Sequence, residues 1–184
     1  MCGRFAYNKE QITPWAKDVL GVVLDAESNL NASPSQSVVA LNNQLTPFAP
    51  HWGINPSWAK KLLINAQAES VATKPTFKNS FATRRCVVPM SGWFEWKDEG
   101  GARKQKYYFS LANGQPLLMA GIWYEQQVPE LVTLTTQPNE RCKAIHKRMP
   151  VIIPVEGLEH WFNAENPSDL LLPLASEAIV IAKA

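Results

Sequence analysis

The apolar and polar positions along the chain change their pattern once, near residue 21. Residues 8–21, NKEQITPWAKDVLG, predict a short helix. Asn8 can cap it, Gln11 follows three residues later as in a capping box, and Gly21 lies past the end. Pro14 falls near the first turn, where its missing N–H costs little. Beyond it come short runs rich in β-branched and aromatic residues: SVVAL, RRCVVPM, WFEWK, KYYFSLA, PLLMAGIW, LVTLTT, PVIIP and AIVIA. Most are bounded by Gly, Pro or Asn, which predicts strands. KDEGGARKQ reads as an exposed hairpin loop, ANGQ as a tighter asparagine-glycine turn, and VEGLEHWFN as a second short helix. INAQAES, at residues 64–70, shows neither strand alternation nor a good helix pattern. The sum predicts an α+β fold: a single domain over residues 1–184 built on a mainly antiparallel, barrel-like β-sheet with a few peripheral helices.

Composition changes this picture little. The chain has 184 residues, 46% of them hydrophobic, and a chain of that size buries roughly two-thirds of its unfolded surface. No apolar run approaches the ~18 residues of a membrane span, and no basic start precedes an apolar stretch. The expected location is the cytoplasm, or a nucleus if the source has one, with no membrane partner and a monomer as the default. Cys2, Cys86 and Cys142 are odd in number and widely spaced, which argues against a disulfide framework and against zinc. His51, His146 and His160 lack metal-ligand spacing, so neither metal nor cofactor is expected. The net charge of +2 permits nucleic acid without demanding it. Seven tryptophans are many for this length, so some are core and others can mark a binding surface.

Four segments carry candidate chemistry. Removal of Met1 would leave Cys2 with a thiol and an α-amine on adjacent carbons, of ordinary pKa about 8.5 and about 7.7–8.0. The amine can attack an aldehyde to give an imine, and the thiol can close a five-membered thiazolidine. The bland alternative is a small residue near a loose chain start. Asn65 and Glu69 are either a polar turn or an amide that positions a nucleophile or oxyanion. In a half-buried strand, Glu95 shares a face with Trp93, while Phe94 and Trp96 share the other. Glu95 is then either a desolvated general acid or base, or a solvated residue opposite a lysine. His146 precedes Lys147 and Arg148, a cationic setting that suits phosphate and favours a neutral imidazole, unless it is simply structural. Basic residues gather around these segments: Arg4, Lys60, Lys61, Lys74, Lys78, Arg84, Arg85, Lys147 and Arg148. With Trp58 and Phe77 interleaved, they suit single-stranded nucleic acid, or a solvated face.

The segments MCGRF, NASPSQ, HWGINPSW, INAQAES, RRCVVPMSGWFEWK, LLMAGIW, TLTTQPNE and IHKRMPVIIP, in that order, resemble the SRAP (SOS response-associated peptidase) family over nearly the whole chain. The resemblance implies a β-rich single domain that binds single-stranded DNA and captures the aldehyde of an abasic site as a thiazolidine crosslink on the N-terminal cysteine. By position, Cys2 matches the nucleophile, Asn65 the asparagine that positions it, Glu95 the acid that assists proton transfer, and His146 the active-site histidine. Arg4, Asn31, Trp58, Phe77 and Arg148 match positions lining the DNA channel. Gln67 stands where the family has an arginine that helps hold phosphate, and Lys147 where it has an aspartate. Loss of one phosphate contact makes the salt slope shallower by about one unit. Two other classes remain open: a thiol peptidase or amidase of the N-terminal-nucleophile type, and a non-covalent single-strand binding module.

Overall fold

The computed structural model describes residues 3–184, so the chemistry expected of Cys2 lies outside the described residues. In chain order these form β1 (Phe5–Tyr7), α1 (Lys9–Trp15), β2 (Asn29–Ala32), β3 (Ala40–Leu41), β4 (Pro47–Phe48), β5 (His51–Trp52), β6 (Asn65–Gln67), α2 (Lys78–Thr83), β7 (Arg85–Met90), β8 (Gly92–Lys97), β9 (Gln105–Leu111), β10 (Leu117–Tyr124), β11 (Glu130–Thr136), α3 (Glu140–Lys143), β12 (Met149–Pro150), α4 (Leu158–Asn163) and β13 (Ile179–Lys183). One sheet of five strands has the order β13-β9-β8-β1-β2. The other, of eight, runs β12-β11-β10-β7-β3-β4, with β5 and β6 also on β11. The fold is thus α+β and mainly antiparallel, as expected, but the sheets do not close into a barrel.

The chain passes between the sheets at two tight places, which periodicity alone does not reveal. Only Ser91 separates β7 from β8, yet β7 pairs with β10 and β8 pairs with β1 and β9. Ser91 anchors the crossing: its N–H donates to Ala6 O at 2.7 Å and its Oγ accepts from Asn8 N–H at 3.2 Å. Gly92 is required here because a Cβ would stand 2.2 Å from Phe109 O. The ANGQ turn forms, with Gly114 at φ 71°, but its flanking strands enter different sheets instead of a hairpin. β7 is buried along its whole length, as is most of β10, which explains their unbroken apolar runs. Trp52, Trp93 and Trp161 fill the core around them.

Several local expectations need correction. The first helix begins at Lys9, so Pro14 lies inside it, not in its first turn. Proline has no N–H to close the bond to Glu10 O, and Ala16–Leu20 continue in the wider π register until Gly21 at φ 69°. Asn8 does cap, accepting from Glu10 N–H at 3.0 Å. Gln11 completes no capping box; its amide donates to Gly114 O at 2.7 Å and ties α1 to the ANGQ turn. SVVAL contributes only Ala40–Leu41 as strand. PVIIP is not a continuous strand: Pro150 pairs with Thr135 on β11, while Ile152 bridges to Met119 on β10. Within INAQAES, Asn65–Gln67 form a strand, because β6 pairs in parallel with β11, and Ala68–Ser70 form a 3-10 turn.

Candidate active site

β11 is the strand that builds the site. Its parallel register sets Thr133 beside Asn65 and Thr135 beside Gln67. The buried Thr133 hydroxyl donates to Asn65 Oδ1 at 2.5 Å, fixing the amide. The following turn delivers Glu69 to Arg148: Nη1 to Oε1 and Nη2 to Oε2 both measure 2.8 Å. Arg148 also donates to Thr135 O, and its side chain is only 11% exposed. These bonds hold Glu69 below the usual carboxylate range, against the upward push of partial burial. Arg148 therefore braces the segment after Asn65, with its forked donors already occupied.

Glu95 takes the buried option of the two the sequence left open. It is 3% exposed and shares its inward face with Trp93. The nearby lysine belongs to the other face: Lys106 pairs with Trp96, and its Nζ lies 3.8 Å from the Phe94 ring centroid. His146 arrives from α3, which Asn139 caps by accepting Cys142 N–H at 2.8 Å. His146 N–H bonds back to Cys142 O at 3.0 Å, turning the imidazole inward. Its Nδ1 stands 3.6 Å from Glu95 Oε1, 3.1 Å from Arg148 O and 3.2 Å from Arg148 N, so the tautomer decides whether it donates or accepts. The expected cationic setting is thus replaced by an acid–imidazole pair: Lys147 is exposed and Arg148 is neutralised by Glu69. Buried Cys142 sits close enough to feel Glu95; burial above all, with that charge adding, pushes its thiol up to about 11, while Arg141 pulls it down.

The described chain start runs toward this pair. Phe5 pairs with Trp93, and Arg4 O accepts from Phe94 N–H at 2.9 Å, so the N-terminal segment advances along β8 toward Glu95. Arg148, in contact with His146, also lines a cavity of about 340 Å³ with Trp58, Asn65, Gln67, Lys74 and Phe77, among others. Six of the sequence candidates, five from residues 58–77 together with Arg148, thus line one cavity. Trp58 is 65% exposed, free to stack, whereas Phe77 is 7% exposed and belongs to the core apart from the edge it shows the cavity. Asn31 is not among that cavity's lining residues; it is exposed on β2, the neighbour of β1, its N–H donating to Asn29 Oδ1. Nor does Arg85 belong to a cationic surface: it is buried and donates to Phe81 O, Phe162 O and Ala164 O. Arg84 pairs with Glu125 at 3.3 Å. Thr133 escaped the sequence reading; the alternating threonines of LVTLTT were its only signal. Among the described residues, no three His, Cys, Asp or Glu side chains cluster to hold a metal, and no helix is long and apolar enough to cross a membrane.

The family model "SOS response associated peptidase (SRAP)" matches residues 1–182, and the chain belongs to that family. The Bacillus subtilis protein named abasic site processing protein YoaM is 32% identical, covering 94% of this chain and 86% of its own. Abasic site processing protein YedK of Escherichia coli is 31% identical over 90% of this chain and 81% of its own. The fold matches a crystal structure of a Bordetella bronchiseptica protein at TM-score 0.86 and 23% identity, covering 100% of this chain and 99% of that one.

Proposed function

We propose that this chain processes abasic sites, capturing them in single-stranded DNA as a thiazolidine on Cys2 once Met1 is removed. The Cys2 amine attacks C1 of the ring-opened sugar, and loss of water gives the imine. The Cys2 thiol then adds across the C=N bond: sulfur bonds to C1 and the proton passes to nitrogen. Glu95 and His146 shuttle the protons of dehydration and ring closure. Asn65, held by Thr133, orients the nucleophile. Trp58 offers a stacking face for a base, with Gln67 and Lys74 beside it and Arg4 near the chain start as the candidate phosphate contacts. Phe77 offers only an edge to the cavity, Asn31 is a further contact beside the chain start, and Arg148 acts as a brace. A single domain working as a monomer, in the cytoplasm and on the nucleoid, suits this reading.

The observation that carries it is the approach of the described chain start along β8 toward a buried Glu95 with His146 at 3.6 Å, itself in contact with Arg148 of the cavity that Asn65 lines. The relatives' names supply the lesion. Intact mass after incubation with an abasic single strand tests the chemistry. We expect a heat-stable adduct at the summed mass less one water, absent in Cys2→Ala. A heat-stable adduct with Cys2→Ala refutes the assignment. Turnover of an amide through a thioester on Cys2 would favour the N-terminal-nucleophile hydrolase instead.

A further inference from the structure

A second cavity, of about 390 Å³, opens on the far side of Trp58. Trp58 and Thr76 line both it and the site cavity, so the two spaces are neighbours with the exposed indole as a shared wall. Tyr124 forms another wall, and its hydroxyl donates to Thr76 O at 2.9 Å. Burial pushes that phenol up to about 12, so it stays a neutral donor. The polar lining is Asn55, Gln126 and Glu130. Glu130 opens β11, with its backbone paired to Tyr124 on one side and His51 on the other. Among the described residues its carboxylate has no hydrogen-bond or ion-pair partner.

We propose that this second cavity holds the unpaired nucleobase next to the abasic nucleotide, and that Glu130 makes it discriminate among bases. The inference rests on the single-strand reading given above. Charge disfavours a phosphate, because among the described residues the cavity is lined by a carboxylate and by no cation. Flat aromatic walls with amide and carboxylate groups at the edge suit a neutral, planar heterocycle with hydrogen-bond donors. The exposed edge of an unpaired guanine carries two adjacent donors, the ring N–H and the exocyclic amine, which match the two carboxylate oxygens. Cytosine and adenine present one amine beside a ring acceptor. Thymine offers a single N–H flanked by two carbonyls, which repel the carboxylate. The expected order is guanine first, cytosine and adenine next, thymine last.

The test uses the whole chain and short single strands bearing a tetrahydrofuran abasic analogue, which cannot crosslink. Each of the four bases is placed on either side in turn, and affinities are compared by competition at fixed salt. We expect guanine over thymine by about fivefold or more on one side only. Glu130→Gln should shrink that ratio below about twofold, and Trp58→Ala should weaken all strands by about fivefold or more. Equal affinities for all flanking bases, or a guanine preference unchanged in Glu130→Gln, overturn the proposal. Crosslinking of the wild type to an aldehydic abasic strand is measured separately. Its absence defeats the proposed function, whereas flanking-base indifference with intact crosslinking defeats only this pocket.

Discussion

Glu69→Gln isolates the brace that ties the segment after Asn65 to the strand behind His146. In the wild type two charge-assisted bonds of 2.8 Å join Glu69 to Arg148. The glutamine keeps the shape but can accept through one oxygen only. Arg148 is largely buried at 11% exposure and Glu69 is 44% exposed, so solvent screens the carboxylate end and the full energy of a buried pair does not apply. The expected loss is about 1 kcal/mol at pH 7, or about 2–4 °C in Tm for a chain of this size. The pH dependence gives the sharper check. Arg148 lowers the folded-state pKa of Glu69 beneath its ordinary value of 4.5. The contribution is therefore complete above the unfolded pKa and is lost as pH falls through the lower folded one. Thermal unfolding by circular dichroism should show a constant gap between wild type and Glu69→Gln from pH 7 to pH 5.5, roughly, closing as pH drops below about 4. An identical Tm at pH 7, or a gap that persists undiminished to pH 3, refutes the argument.

Thr133→Val removes the donor to Asn65 from a fully buried position at nearly constant volume; about 1–2 kcal/mol should be lost, and single-turnover adduct formation should slow while single-strand affinity holds. Arg85→Ala strips the donor from three backbone carbonyls, costing about 3 kcal/mol or more; calorimetry should show the lower Tm, and the salt dependence of single-strand binding should stay as in wild type, since Arg85 faces no DNA. Cys86 and Cys142 are buried, and burial raises both thiols, that of Cys142 to about 11; in Cys2→Ala a thiol reagent at pH 8 should find no reactive group until denaturant is added, and two afterwards.

The sequence by itself determined the kinds of element and the kinds of chemistry. Runs such as RRCVVPM and PLLMAGIW read as strands from their length, their β-branched and aromatic content and their Gly, Pro and Asn boundaries; their full burial is a property of the fold. SGWFEWK placed Glu95 and Trp93 on one face by strand alternation alone. Family motifs in order along the chain named Asn65, Glu95 and His146 as candidates before any geometry was known. What alternation could not say is which face turns inward. That depended on β9, whose Phe109 stacks on Trp93 with centroids 4.9 Å apart and leaves Lys106 to the outer rings. The strand character of Asn65–Gln67 was equally invisible, because parallel pairing with β11 is a long-range bond that three polar-flanked residues do not advertise. Tertiary structure also decided which cations are free. Local charge made Arg84, Arg85 and Arg148 look alike. Folding sends Arg85 into a cage of carbonyls and gives Arg84 to Glu125 and Arg148 to Glu69, because a cation removed from water must find an acceptor and the nearest one is set by packing, not by sequence distance.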